Sequence, residues 1–278
     1  MQKHPFPGRL EKNLLDTVNQ QGAAEIFNGL IDKAGAIHKR PGLFFNQTLT
    51  PTGGGVQALY YWPAKDKLVA VAGGRIYSAA SPAATLTPVS ETVATLPNGP
   101  VKIVDTGHWL YFCGSSGPML CWNGTDTATQ VADGAAPTNV SAIAIINQRV
   151  IANQRGTNRF WYTSPPDLEH PSNPLTWTGY LEVGRTSEDI VGLDVSGGEL
   201  IAFKRESFQA FYDDATTPFK PILGSQQFNG LISATGITRL NNSLFFVGPD
   251  RVIRKLMNRE VVDISTPMLQ RSMDKLMD

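Results

Sequence analysis

The fold class is indicated most clearly by the stretch Trp109-Leu110-Tyr111-Phe112-Cys113, which is followed by Gly114-Ser115-Ser116-Gly117 and then by Met119-Leu120-Cys121-Trp122. Two short runs of aromatic and aliphatic residues flank a turn of glycine and serine, and this order is typical of a β-hairpin. The apolar runs end after four or five residues. The apolar face of a helix would have to continue for about ten or more residues. The stretch therefore predicts two antiparallel strands.

Four further hairpins of the same kind occur along the chain. They recur at intervals of about 40 to 50 residues, which is the range of β-propeller blades. A candidate strand precedes each hairpin, and a weaker one follows some of them. The other hairpins lie at residues 67–78, 149–162, 199–212 and 243–253, the preceding strands at 57–62, 101–105, 141–146, 189–193 and 237–240, and the weaker strands at 176–183 and 261–264.

This repeat predicts an all-β, β-propeller-like fold with about five blades of three to four antiparallel strands each. One blade buries only one of its faces by itself, so neighbouring blades must stack to form a core. We expect residues 1–50 to form an N-terminal arm and hairpin, residues 51–266 the propeller, and residues 267–278 a C-terminal helix.

Two segments have helical patterns. The pattern in Arg9–Gln20 is weak. At the C-terminus, Ser265 or Thr266 can cap a helix whose first turn contains Pro267. Leu269, Met273 and Leu276 then share one face. A helix of about twelve residues is marginal in isolation, so we expect this face to pack against another part of the protein.

The charge balance argues against a dedicated nucleic-acid-binding protein. Lys and Arg together number 24, Asp and Glu together number 24, and the net charge is zero. Nucleic-acid-binding proteins usually carry a basic excess, because phosphate contacts supply most of their affinity. A local basic ring stays compatible with this composition.

The cysteine and histidine content predicts no metal and no cofactor. We expect Cys113 and Cys121 to be buried thiols in a reducing compartment, with a pair facing each other across the hairpin as the alternative. The four histidines form no cluster with metal-ligand spacing. No apolar run approaches about 18 residues. We therefore expect no membrane span and synthesis in the cytoplasm.

Two sets of residues keep binding or catalytic functions open. Asp105, Glu188, Asp189 and Asp194 lie at or beside predicted inner strands, where some five-bladed propellers place the acids of a glycosidase. Aromatic residues on strands could stack on sugars in a lectin, although large rings are more often part of the core. These aromatic residues are Trp62, Trp161, Tyr162 and Trp177.

A segment near the N-terminus carries a more specific pattern. Residues Ile31–Leu43 read as strand, turn and strand, and contain D-x-x-G-x-x-x-K-R-P-G. This pattern resembles the start of tail proteins of short-tailed bacteriophages, in particular the packaged-DNA stabilisation proteins. Its matching residues are Asp32, Gly35, Lys39, Arg40, Pro41 and Gly42.

The end of the chain is similar to the same family. Gly248–Leu256 resembles its G-x-D-G-V-Y-R-L hairpin, with Arg251 in place of the second glycine and Ile253 in place of tyrosine. Asp263-Ile264-Ser265-Thr266 resembles its R-I-S-T helix start. The family typically continues beyond this helix with further strands, so closure of the ring within one chain stays open. We expect the segment before Phe45 to supply a strand to the last blade.

The resemblance implies a structural role in a virion. The family forms a ring, usually six-fold, which is the tail hub or nozzle below the portal and adaptor rings. It retains packaged DNA, forms the ejection channel and carries the tail tip, fibres or spike. We therefore expect a non-enzyme in the virion tail that contacts its own copies, these proteins and, non-specifically, DNA. The expected structural and interface residues are the six of the N-terminal pattern, and Ser265 and Thr266. For Arg40 two interpretations stay open, a contact with a neighbouring subunit or ring and a solvated turn residue.

Overall fold

The structure is a computed structural model that divides into two units, Met1–Thr48 and Leu49–Asp278. It describes residues 10–11, 22–23, 29–31, 37–39, 49, 55–81, 84–89, 96–131, 133–165, 175–184, 187–214 and 217–277. The first unit contains two antiparallel strand pairs. These are β1 (Leu10–Glu11) with β2 (Gly22–Ala23), and β3 (Gly29–Ile31) with β4 (Ile37–Lys39).

The second unit contains five sheets of four antiparallel strands, each in sequence order, and these sheets are the blades. The all-β, propeller-like prediction is confirmed. The strands are β5 (Val56–Trp62), β6 (Lys67–Ala72), β7 (Arg75–Ala79) and β8 (Thr87–Pro88) in blade 1; β9 (Lys102–Asp105), β10 (Leu110–Cys113), β11 (Leu120–Trp122) and β12 (Thr129–Gln130) in blade 2; β13 (Ile143–Ile146), β14 (Arg149–Asn153), β15 (Arg159–Thr163) and β16 (Trp177–Glu182) in blade 3; β17 (Ile190–Ser196), β18 (Glu199–Lys204), β19 (Phe208–Asp214) and β20 (Thr217–Pro221) in blade 4; and β21 (Ile237–Leu240), β22 (Ser243–Val247), β23 (Ile253–Met257) and β24 (Glu260–Asp263) in blade 5.

All five predicted hairpins and all five preceding strands are present. The fourth strands of three blades, β8, β12 and β20, were not predicted. β8 and β12 have only two residues each, and β20 has no alternation of apolar and polar residues. Blade 5 takes its four strands from residues 237–263. The expectation that a segment before Phe45 supplies one of them is therefore wrong.

Turn chemistry explains the tight hairpin between β6 and β7. Gly73 and Gly74 have φ angles of 55° and 76°. Both lie in the left-handed region, which suits the two-residue turns that match the twist of antiparallel strands. The pair therefore fixes the register in which Ala72 lies opposite Arg75.

Aromatic and aliphatic side chains fill the spaces between consecutive blades. Phe203 of blade 4 lies 5.0 Å from Phe246 of blade 5, measured between ring centroids. Phe160 of blade 3 lies 5.2 Å from Phe211 of blade 4 in an edge-to-face arrangement. Similar buried clusters join blade 1 to blade 2 and blade 2 to blade 3. The stacking predicted from the repeat thus forms four blade interfaces.

The C-terminal helix α1 (Pro267–Met277) is confirmed. The hydroxyl oxygen of Thr266 accepts a hydrogen bond from the amide of Leu269 at 3.3 Å, so Thr266 is the cap. Ser265 instead accepts from the amide of Ile253 at 3.2 Å and joins the helix start to β23. The helix prediction for Arg9–Gln20 is wrong at residues 10–11, which form β1, and its remainder lies outside the described residues.

Cys113 and Cys121 are free thiols, and both are buried. Burial raises the pKa of Cys113 to about 12 and also raises the pKa of Cys121. We therefore expect neither thiol to react with an aromatic disulfide reagent at pH 8 in the native protein, because the thiolate is the nucleophile. Both should react in denaturant. Rapid release of one equivalent from native protein would contradict this prediction.

Candidate functional site

A cavity of about 1040 Å³ lies at the centre of the blades. Residues of all five inner strands, β5, β9, β13, β17 and β21, contribute to its wall. The side chains that can carry charge there are three basic and three acidic. They are Lys102, Arg155, Arg239, Asp105, Asp189 and Asp194. The cavity wall is therefore balanced in formal charge, as the whole chain is.

One ion pair joins non-adjacent blades across this cavity. The Nζ atom of Lys102 in blade 2 lies 3.1 Å from a carboxylate oxygen of Asp194 in blade 4. The same ammonium donates a hydrogen bond to the carbonyl oxygen of Leu193 at 2.9 Å. Asp194 is further held by the amide of Val195 at 2.8 Å. Asp194 is buried, so the opposite charge of Lys102 offsets part of the cost of removing its carboxylate from water.

Asp105 makes a second contact between blades. Its carboxylate accepts a hydrogen bond from the hydroxyl of Tyr60 in blade 1 at 3.1 Å and one from the amide of Gly107 at 2.6 Å. Burial, followed by the charge and hydrogen bond of Asp105, raises the pKa of Tyr60 to about 12. The contact thus stabilises the neutral phenol.

Tyr60 makes part of the stability of this unit dependent on alkaline pH. In the folded protein the pKa of Tyr60 lies above the unfolded value of about 10. The contribution of Tyr60 to the free energy of unfolding is therefore complete below about pH 10 and is lost as the pH rises to about 12. The loss of stability over this range should be smaller in Tyr60→Phe. Urea unfolding at pH 9 and pH 11 measures the free energy of unfolding of the wild type and of Tyr60→Phe. An identical pH dependence in the two would contradict the prediction.

The structure brings together three of the four candidate acids. Asp105, Asp189 and Asp194 line the cavity, and Glu188 does not. Asp105 and Asp194 are each held by the hydrogen bonds given above, and Asp189 is exposed. Lys102 was not among the candidate site residues, although a lysine within the predicted inner strand 101–105 was a detectable signal.

The candidate sugar-stacking rings are not available as open platforms. Trp62 and Trp177 are buried in the blade interfaces, and Trp161 and Tyr162 are half-buried. The exposed ring in this part of the fold is Tyr180. It lies 5.1 Å from Trp161 between centroids and 4.7 Å from the guanidinium carbon of Arg159. The interpretation of Trp62 and Trp177 as core residues is confirmed.

A polar network joins the last hairpin to the C-terminal segment. Arg254 contacts both carboxylate oxygens of Asp250, and its Nε atom donates to Asp263 at 2.9 Å. The hydrogen bond from Arg254 lowers the pKa of Asp250. A side chain at Gly248 would overlap the Arg254 guanidinium, so this glycine makes room for the network. Arg251 extends the network to α1, with an ion pair to Asp274 at 3.1 Å.

Arg251, which stands in place of the second glycine of the family pattern, has a backbone conformation that is uncommon for residues other than glycine. Its φ angle is 62°, which is in the left-handed region. Glycine adopts this conformation without steric cost, and the family resemblance places a glycine at this position. Here the arginine occupies it and contacts the helix through Asp274.

This network, the C-terminal junction (Gly248–Asp274), holds a helix whose apolar residues face solvent. Met268 is 51% exposed and Leu269 is 44% exposed. Met273 is half-buried, and the side chain of Leu276 lies outside the described residues. Among the described residues, the expected packing of Leu269 against another part of the protein is therefore not seen.

The N-terminal pattern is described only in part. Lys39 is the last residue of β4 and lies opposite Gly29. The predicted strand, turn and strand correspond to β3 and β4, in which Ile31 pairs with Ile37. The other five residues of the pattern lie outside the described residues. They are Asp32, Gly35, Arg40, Pro41 and Gly42.

The part of the chain that the structure describes contains neither a metal-binding cluster nor a membrane-spanning helix. Among the described residues, no group of three or more His, Cys, Asp or Glu side chains could hold a metal ion. No helix within the same ranges is long and apolar enough to cross a membrane.

Comparison with known proteins supports the fold. No family model matches the chain, and no curated protein matches it. Among solved structures, the chain is similar to one in the crystal structure of the Mitotic Checkpoint Complex, with 14% identity and a TM-score of 0.50 over 81% of this chain and 74% of that one. It is also similar to the computationally designed Ika8 protein, with 12% identity and a TM-score of 0.50 over 83% and 65% of the two chains.

The fold is propeller-like. A third similar structure is a putative 6-phosphogluconolactonase from Bacteroides uniformis ATCC 8492, with 16% identity and a TM-score of 0.48 over 72% of this chain and 64% of that one. The chain thus spans less than two thirds of the length of this protein and of Ika8. At these identities the likeness concerns the fold alone.

Proposed function

We propose that this protein is a structural component of the tail of a short-tailed bacteriophage. In this role it forms part of a hub or nozzle ring below the portal and adaptor proteins and catalyses no reaction. The ring retains packaged DNA, forms the ejection channel and carries the tail tip, fibre or spike. The protein would be made in the host cytoplasm and act without a cofactor.

The C-terminal junction is the observation that carries this proposal. The residues shared with the tail-protein family are also the residues that build the junction: Gly248 makes room, Asp250 and Arg254 pair, and Thr266 caps α1. The result is a fixed helix with Met268 and Leu269 exposed. Exposed apolar side chains on a fixed element are typical of a surface that binds another protein.

The balance of charge is compatible with the proposed channel. DNA held by a dense set of lysines and arginines would resist ejection, because each phosphate contact adds affinity. A chain with zero net charge can enclose DNA with weak, non-specific contacts. Retention then depends on a closed ring and on the proteins below it.

Particles that lack this protein provide the direct test. A phage with a stop codon in the gene should package DNA and then lose it from the heads, so that the particles are empty and non-infectious. Purified particles can be assayed for DNA content by electron microscopy and nuclease sensitivity, with the gene supplied in trans as the control. Stable, DNA-filled particles without the protein would contradict the proposal.

The exposed residues of α1 provide a second test. Met268→Lys with Leu269→Lys should abolish co-sedimentation with a purified portal and adaptor complex, because the two charges would have to be buried in the contact. Leu223→Lys, at a loop residue that is 94% exposed, is the matched control and should bind as the wild type does. If the helix variant binds the portal and adaptor complex as the wild type does, α1 is not part of the contact with that complex.

The central cavity favours one alternative, a propeller that binds a small molecule such as a carbohydrate. Its volume of about 1040 Å³ is at the upper end of ligand-pocket sizes, and Arg155 and Asp189 present exposed charges to it. Binding on a sugar array would support this alternative. A five-bladed glycosidase would require hydrolysis that Asp105→Asn or Asp189→Asn abolishes.

A further inference from the structure

The outermost strand of each blade has a row of backbone groups that faces no further strand of its sheet. Four of these strands are poor templates for another strand, because they are short or contain proline. β8 and β12 have two residues each, β20 contains Pro218 and Pro221, and β24 has four residues with a carboxylate at each end. β16 has six residues and no proline. Among the described strands, β16 is therefore the longest outer edge that is open to pairing.

The backbone groups of Tyr180 and Glu182 point to this open edge. The amide of Val183 donates to the carbonyl of Asn158, just before β15, at 2.8 Å. Backbone groups alternate along an antiparallel strand, so Val183 and Leu181 turn theirs toward β15, and Tyr180 and Glu182 turn theirs away. Within the described ranges, no other segment binds the outward amides and carbonyls of these two residues. We call these groups the β16 edge.

The first part of β16 does not belong to this edge. The amide of Trp177 donates to the carboxylate of Asp133 at 2.8 Å and is already satisfied. The irregularity in the pairing with β15 lies before Gly179, and the pairing from Gly179 to Glu182 is regular. The β16 edge is therefore a short, regular row at the end of the strand.

The β16 edge is complementary to a second copy of itself. Two β16 strands can run antiparallel with Leu181 on the two-fold axis between them. Tyr180 of each copy then lies opposite Glu182 of the other copy. In this register, both outward amides and both outward carbonyls of each copy have a partner, because directly opposite residues of this type exchange both of their N–H···O bonds.

The side chains on one face of the paired strands would form a continuous apolar row. Phe160 is buried and lies opposite Leu181, which is half-buried against the cluster between blades 3 and 4. Pairing of two β16 strands places the Leu181 side chains of the two copies next to each other. A pair without direct hydrogen bonds brings side chains closest, so each Leu181 would cover the exposed part of the other.

The side chains on the other face bring no unpaired charge into the contact. Arg159 and Glu182 form an ion pair at 2.8 Å, and the guanidinium carbon of Arg159 lies 4.7 Å from the centroid of the Tyr180 ring. In the paired arrangement, the Tyr180 ring of one copy lies beside a Glu182 whose charge the Arg159 of its own copy already balances. The arrangement thus avoids like charges directly opposite each other, which would oppose pairing.

We propose that two copies of this protein pair through their β16 edges. The contact joins the four-stranded sheets of the two copies of blade 3 into one continuous sheet. It is isologous, because the same residues of both copies form it. The inference goes beyond the proposed function and does not depend on it. A ring requires a heterologous contact, so a hub ring would use other surfaces.

The mass of the free protein and a proline substitution test the pairing. The contact is small, so the protein is measured at about 100 µM by sedimentation equilibrium. The wild type should have twice the monomer mass of 30.2 kDa. Tyr180→Pro removes an outward amide that the pairing with β15 does not use, and proline is tolerated at such positions. This variant should raise the dissociation constant at least about 100-fold and have the monomer mass, with the far-UV circular dichroism of the wild type.

The matched control for the proline variant is Tyr180→Thr. It removes the same ring but keeps the amide, and threonine is a good strand residue. Tyr180→Thr should therefore remain a dimer. If it is monomeric like Tyr180→Pro, the Tyr180 ring and not the backbone holds the copies together, and the proposed strand pairing is wrong.

A pair of opposite charges at Leu181 tests the two-fold axis. Leu181→Lys places two ammonium groups next to each other in the dimer, and Leu181→Glu places two carboxylates there. Each variant alone should be monomeric, because like charges directly opposite are destabilising. An equimolar mixture should form a dimer, since a lysine then lies opposite a glutamate. Only a residue that meets its own copy gives this result.

Three results would overturn the proposal. They are a wild type that is monomeric at this concentration, a Tyr180→Pro variant that is dimeric, and a mixture of folded Leu181 variants that stays monomeric. If the charge at Leu181 unfolds the protein, the two Tyr180 variants decide by themselves. Loss of DNA from the stop-codon particles would support the hub proposal in each of these cases, so the two proposals succeed or fail separately.

Discussion

Gly230→Ala should destabilise the protein by about 3 kcal/mol or more. A Cβ atom at this position would overlap the backbone carbonyl of Arg205. The adjacent amide of Leu231 donates to the carbonyl of Lys204 at 3.0 Å, so the two backbone segments cannot separate without loss of this bond. Leu231 is itself fully buried between blades 4 and 5. To make room for the added methyl group, the segment that carries Leu231 would have to move away from Arg205 and so out of that core.

Thermal and urea unfolding measure this effect. For a unit of about 200 residues, we expect a fall in melting temperature of about 5 to 10 °C. Gly134→Ala is the matched control, since a Cβ atom there would meet no atom within 4 Å. It should unfold like the wild type. If Gly230→Ala has the same urea midpoint as this control, the backbone of Arg205 does not lie as close to Gly230 as the structure shows.

Asn153→Leu should have the second large effect, a loss of about 3 to 5 kcal/mol. The Asn153 side chain is completely buried at the end of β14. Its oxygen accepts from the amides of Ser141 and Ala142 at 3.0 and 2.9 Å. Its nitrogen donates to the carbonyl of Ile190 in blade 4 at 3.0 Å. Leucine has a similar volume but would leave these backbone groups without partners.

The neighbouring amide provides the control for Asn153. The side-chain oxygen of Gln154 accepts one hydrogen bond, from the amide of Thr138 at 3.2 Å, and this bond is exposed to solvent. Gln154→Leu should change the free energy of unfolding by less than about 1 kcal/mol, because water can replace that bond. Urea unfolding should therefore separate the two variants clearly. Equal midpoints would show that Asn153 does not join blades 3 and 4.

These two positions show how the blades are joined. Gly230 lets a loop approach the turn after β18, and Asn153 binds the backbone of its own blade and of the next. Gln57 does the same between blades 1 and 2, since its amide donates to the carbonyls of Pro97 and Gly99 at 2.8 and 2.6 Å. Blade stacking thus combines apolar clusters with a few buried or half-buried side-chain amides that bind backbone groups of two blades.

The blade repeat was predictable because the second strand of each blade contains a continuous apolar run and is bounded by turn residues. The hairpin from Trp109 to Trp122 shows this pattern directly. The strand at Thr129–Gln130 was not predictable, because two polar residues show no alternation of apolar and polar side chains. The contribution of Lys102 and Asp194 was also not predictable, since they are 92 positions apart and meet only when blades 2 and 4 face one cavity.

The hairpins, their number and the terminal helix could be predicted from the sequence, because each depends on residues that are close along the chain. Which acids share the cavity and which side chains join the blades depend on residues far apart in the sequence, such as Lys102 and Asp194, and only the folded chain brings them together. Leu59 shows the same limit, because it lies opposite the buried Ala70 on one face of blade 1 and is nevertheless 65% exposed. The neighbours of each position in the fold determine its exposure, and the order of residues along a strand does not contain that information.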